Sequence, residues 1–254
     1  MTEANKQDER IRGSAFPRTR KSRFFFWMAC AMLLLNLVGF APSYFLKHWT
    51  DARELPLRTH LHGLIFTAWF VLLFIQVSLI KAQNVHLHRK IGAASLAIAV
   101  AMVISALILL YHRSMLYHSG DRGLEGTVFI VWGNLTLLLG FVSFVTLGFL
   151  NRRRPSYHKR LMLLASIAMM PQALGRLGYL PQLRILDGMA NNVLYAYGGV
   201  LILLTAMLIN DRVNTGKLHS VTRWGVPALI LLLISGTFLL PQTGFGTALI
   251  LSLG

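Results

Sequence analysis

A polar opening of 23 residues gives way to seven long apolar runs, at 24–45, 61–80, 91–111, 127–150, 161–180, 193–209 and 224–240, separated by short polar connections. At a rise of 1.5 Å per residue, each run is long enough to cross most or all of a hydrocarbon layer about 30 Å thick. In lipid, every backbone amide must find its partner within the segment or a closed barrel, so runs of this length predict helices. The expected fold is all-α: a polytopic transmembrane bundle of seven helices. It comprises a basic tail at 1–23, a transmembrane domain at 24–241 and a short apolar C-terminal tail at 242–254, with no soluble domain between them. The first run is too long for a signal-peptide core and is expected to be a retained helix. Pro171 and Arg176 interrupt the fifth run, so six helices plus a re-entrant segment is the alternative.

Composition agrees with that pattern. Hydrophobic residues make up 55% of the chain and charged residues 13%, and the mean hydropathy is +0.57. The net charge of +16 would suggest nucleic acid in a soluble protein. Here the cations lie almost wholly between apolar runs, where they serve as topology signals and meet anionic lipid headgroups, so no nucleic-acid partner is expected. The tail and the connections at 81–90, 151–160 and 210–223 hold 18 Lys and Arg, whereas the alternate connections hold 7. This asymmetry predicts a cytoplasmic N-terminus. With seven crossings the C-terminus is outside, and the segment 245–253, too short to span, is expected along the interface. The single cysteine, Cys30, excludes an intramolecular disulfide. No acidic residue falls within any apolar run, which disfavours proton or cation pumping.

Two polar stripes cross the apolar background. His62, Trp69 and Gln76 recur every seven residues in the second run, which keeps them on one helical face. His158, Met162, Met169, Gln172 and Arg176 share a face of the fifth. Such stripes serve as helix-to-helix contacts or line a cofactor. Histidines cluster near helix ends: His60, His62, His112 and His118 toward the outer side, and His86, His88 and His158 toward the inner. Two axial haem ligands must stand at similar depth on neighbouring helices, and His88 with His158 meets that condition. His48 and His219 lie in connections and are expected to be solvated, and Arg152, Arg153 and Arg154 before Pro155 read as a topology signal and helix stop. A metal site from His60, His62, Asp121 and Glu125 is conceivable. Phosphate-binding loops, dinucleotide fingerprints and His-Glu-x-x-His zinc helices do not occur.

The segment running from His62-Gly63 to Ala68-Trp69 resembles a helix opening in the cytochrome b561 family, where that histidine ligates haem b in a four-helix core holding two haems. The resemblance implies His62 as one ligand and His88 with His158 as an inner haem pair, with iron as the metal. It departs from the family in the fourth helix, which has no histidine, so an outer haem would need His118 or His112. A wider likeness, over residues 58–178, is to uncharacterised bacterial inner-membrane proteins. These share the His-Gly and Ala-Trp segment, the His88-Arg89-x-x-Gly92 helix start, and Arg153-Arg154-Pro155 followed by His158-Lys159-Arg160-Leu161-Met162. Together these imply a multi-pass bacterial inner-membrane protein with haem b as cofactor, passing electrons to or from a respiratory or redox partner. Two other readings stand beside it. One is a non-catalytic scaffold, assembly or lipid-binding protein in which the inner histidines anchor headgroups. The other is a small-molecule permease with an anion path along Gln172 and Arg176.

Overall fold

The computed structural model describes residues 19–46, 54–116, 123–183 and 185–252, with the side chains of 19–22 and 181 left aside. Nine α-helices occur among them: α1 (Thr19–Phe40), α2 (Leu57–Lys81), α3 (Val85–Ser114), α4 (Leu124–Leu150), α5 (Pro155–Ala168), α6 (Pro171–Leu177), α7 (Met189–Thr215), α8 (Ser220–Ile234) and α9 (Gly244–Leu251). Six continuous segments are long and apolar enough to cross a membrane: Arg23–Phe45, Leu57–Lys81, Val85–Ser114, Leu124–Leu150, Met189–Thr215 and Ser220–Gln242. The chain is a polytopic helical membrane protein. Large apolar side chains stand outward on these helices, among them Trp27, Leu34, Leu96, Ile202 and Leu231, each at least half exposed. Water would penalise such a surface, and hydrocarbon does not.

Local sequence sets the helix boundaries. Asn84 accepts the Leu87 amide at 3.1 Å on its side chain and so starts α3, satisfying one of the first-turn donors that a helix leaves open. Pro155 occupies the first turn of α5, where its missing N–H costs nothing. Gly216, at φ +68°, closes α7 in a left-handed conformation that a side chain would disfavour.

The fifth apolar run is not one helix. It stops at Ala168 and restarts at Pro171, because proline has no N–H to continue the ladder and its ring crowds the preceding turn. The two pieces still run the length of the bundle. At one end, His158 meets Gly148 near the close of α4 and Arg160 meets Asp211 near the close of α7. At the other, Asn191 at the start of α7 donates to the Gly178 carbonyl at 2.7 Å. The first of these ends carries Lys81, Arg152 and Lys159 and is called the basic end below. The pair α5–α6 forms the centre of the core: Leu161, Leu164, Ile167 and Met170 are essentially inaccessible, packed with Phe141 of α4, Leu204 of α7 and Leu229 of α8.

The C-terminal tail packs on α4. Its Gly246 carbonyl accepts from Trp132 Nε1 at 3.0 Å, and Ile250 is buried against Val128 and Val131.

Candidate functional site

At the basic end, the start of α3 and the start of α5 bring His88 and His158 together, with ring centroids 6.3 Å apart and planes at 80°. The Gly148 carbonyl, at 2.8 Å, accepts from His158 Nδ1. A carbonyl can only accept, so this bond places the proton on Nδ1 and leaves the Nε2 lone pair free. His88 Nδ1 faces the side-chain amide of Gln76, which is buried. With its nitrogen toward the imidazole, that amide also accepts from the Gly92 N–H at 3.1 Å. In that orientation the amide donates to His88 Nδ1, which puts the proton of the neutral ring on Nε2, whereas the opposite orientation would set the amide oxygen against the His88 carbonyl and the amide nitrogen against the Gly92 N–H. Both rings are held through Nδ1, but only His158 has its Nε2 lone pair free.

The spacing suits a shared metal. Two imidazoles bound to one ion through bonds of about 2 Å place their ring centres roughly 6 Å apart. Among the described residues no group of three or more His, Cys, Asp or Glu could hold a metal ion. A bare divalent ion wants three or four protein ligands, whereas a haem brings four nitrogens of its own and asks for two. A Cβ at Gly92, one turn beyond His88, would meet nothing within 4 Å, so the flank of the pair is open. The pair supplies the two imidazoles that a haem iron asks for: His158 is set to ligate, and His88 would do so with its proton moved to Nδ1 and the Gln76 amide turned to accept it.

His62 lies at the opposite end, and the structure does not bring it to a second imidazole among the described residues. Its Nδ1 stands 3.2 Å from Ser105 Oγ on α3, and its ring lies 4.2 Å from that of Phe66. His112 is exposed at the end of α3, and His118 and Asp121 fall outside the described residues, as does His48. His60 packs under the Tyr44 ring. The stripe His62, Trp69, Gln76 does not face one partner. Trp69 Nε1 donates to Ser166 of α5 at 3.1 Å, while its neighbours on the stripe engage α3.

His62 borders a cavity of about 760 Å³ lined by residues of α1, α2, α3, α4, α6 and α7. Two arginines, Arg113 and Arg176, line it, and no Asp or Glu does among the described residues. Arg176 donates to the Gln172 carbonyl at 3.0 Å and lies 4.2 Å over the Phe40 ring. Gln172 donates to Asn134 Oδ1 at 2.7 Å, which leaves its own Oε1 without a partner. Of six buried polar side-chain atoms unpartnered among the described residues, Asn36 Nδ2, Arg113 Nε, Gln172 Oε1 and Asn192 Oδ1 belong to residues lining this cavity.

One polar cluster escapes sequence reasoning. Asp211 is fully buried in α7, beyond the end of the apolar run, where a solvated connection was expected. It receives Arg160 from α5, whose Nε lies 3.1 Å and 3.2 Å from its two oxygens, along with Thr222 Oγ1 at 2.5 Å and the His219 amide at 3.2 Å. The signal in the sequence is Arg160 itself, a cation directly before the buried Leu161. His219 is not freely solvated either. Its Nδ1 caps α8 by accepting from Val221 N–H at 3.2 Å, and its ring meets Tyr157 edge-on at 4.8 Å. Burial, followed by the nearby Arg160 charge, holds its pKa below the ordinary histidine value despite the opposing pull of Asp211.

Compared with protein-family models, with curated proteins and with solved structures, the chain matches none.

Proposed function

We propose that this polytopic membrane protein binds one haem b at its basic end, where His88 and His158 would hold the iron, and serves single-electron transfer in a bacterial inner membrane. The observation that carries the reading is the paired imidazoles, 6.3 Å between centroids, each approached at Nδ1 by a fixed partner. In this reading the broken pair α5–α6 is a seventh crossing and the N-terminus lies in the cytoplasm, in keeping with the distribution of Lys and Arg along the chain.

The roles of the chain's own groups follow. Gly148 keeps the His158 proton on Nδ1 and leaves its Nε2 free, and His88 would ligate with its proton moved to Nδ1 and the Gln76 amide turned so that its oxygen accepts it. Arg89 and Lys90, exposed in the same turn as His88, supply positive charge for the propionates. Haem, when bound, supplies a one-electron couple whose potential is set by axial ligation and burial. His62 takes no part in this site, and the reading contains no outer haem.

Protein purified in detergent from haem-replete cells should show a reduced-minus-oxidised difference in the Soret and α bands, with about one haem per chain. His88→Ala and His158→Ala should each abolish it, and His62→Ala should leave it unchanged. A colourless, iron-free preparation of folded protein would remove the proposal and leave the two histidines as headgroup anchors.

A further inference from the structure

The cavity at the opposite end sets polar side chains into an apolar wall. Asn36, Arg113, Gln172 and Asn192 are among its lining residues, and each also holds one side-chain atom, closed to solvent, that has no partner among the described residues. Arg113 and Arg176 line the same space and no Asp or Glu does among the described residues, which favours an occupant of negative charge, because a cation withdrawn from water needs a counter-charge. Phe40, Phe66, Leu137 and Leu138 make up much of the remaining wall, and they match a hydrocarbon body rather than a wholly polar ion.

We infer that this cavity is a binding site for an amphiphilic anion, with its carboxylate or phosphate head at Arg113 and Arg176 and its apolar body against the Phe and Leu wall. The head would accept from the two arginines. The break at Pro171 has a purpose in this picture. It lets the short α6 carry Gln172 and Arg176 toward the cavity while α5 stays packed in the core. The site is independent of the imidazole pair, which stands at the other end of the bundle.

Such an anion can come from the bilayer, as a phospholipid or fatty acid, or from solution. The full-length protein, delipidated in dodecyl maltoside, is titrated with laurate and with dodecanol, which share a chain and differ in charge. Laurate should bind to one site per chain and dodecanol about ten-fold or more weaker, the difference expected for a charge-assisted contact. Arg176→Gln and Arg113→Gln should each weaken laurate by a similar factor without changing dodecanol, and Arg176→Lys should retain part of the affinity. Native mass spectra taken before delipidation separate the sources. A phospholipid or fatty acid carried by wild type and lost from Arg176→Gln assigns the bilayer, and an initially empty site that accepts laurate assigns solution. Equal binding of laurate and dodecanol to wild type would overturn the inference whether or not the variants fold, as would laurate affinity unchanged by both arginine substitutions.

Discussion

When one partner of a buried ion pair is removed, the other stays behind without solvent, and the cost falls on the charge that remains. Arg160 is 5% exposed and Asp211 0%, so Asp211→Asn would leave a guanidinium in the core with a neutral neighbour. We expect that substitution to lower stability by roughly 3–5 kcal/mol. Arg160→Met combined with Asp211→Leu, which removes both charges, should recover most of the loss. Thermal unfolding of detergent-purified variants checks both. The meeting of His88 and His158 was legible in the sequence, because equal depth at two helix starts depends only on counting residues from the apolar edges. The burial of Asp211 was not, because a hydropathy window ends where polarity begins, and whether a carboxylate there is wet depends on a partner 51 residues away. The surroundings of His62 were illegible for a similar reason. Its neighbours, Ser105 and Phe66, are set by helix rotation, which an almost uniformly apolar helix does not encode.

At the scale of elements, the six continuous helices were readable within a few residues, since length and apolarity alone decide them in lipid. The broken pair was only half readable. Pro171 announced the interruption, but it took the contacts at Gly148 and Gly178 to show that both ends of the bundle are reached. The closeness of α1 and α6 gives this element its own test. A Cβ on Gly39 would run into the backbone carbonyl of Ala173, an atom that cannot swing away as a side chain can. Gly39→Ala should push the helices apart and cost about 1–3 kcal/mol. Gly198→Ala in α7, where an added Cβ meets nothing within 4 Å, should be neutral or stabilise by up to roughly 1 kcal/mol. Melting temperatures of the two variants against wild type measure the contrast.

For the molecule as a whole, the proposed orientation places the turns after α2, α4 and α7 in the cytoplasm and the connection between α6 and α7 outside. Periplasmic-activity reporters fused after Gln83, Asn151 and Lys217 should be silent, and one fused after Gly188 should be active. If the fusions after Asn151 and Gly188 report the same compartment, residues 155–177 do not cross, and a six-crossing topology with a re-entrant segment replaces the proposal. The test is decisive for the two candidate sites as well, since it fixes whether the imidazole pair and the arginine-lined cavity face different aqueous phases. Fold class and membrane character needed only composition and run length. The cavity was out of reach of the sequence because six helices contribute to it, and its shape comes from how they splay.

The buried pairing of Arg160 with Asp211 also sets a timetable for biosynthesis. The arginine leaves the ribosome 51 residues before its counter-ion, a delay of roughly 3–10 s at ordinary elongation rates. Arg160 stands near the start of α5 at the basic end, where its long stem can keep the charge in water or among headgroups through that interval. Only when α7 has been synthesised through Asp211 can the guanidinium leave water without penalty. The basic end is therefore among the last parts of the molecule to close.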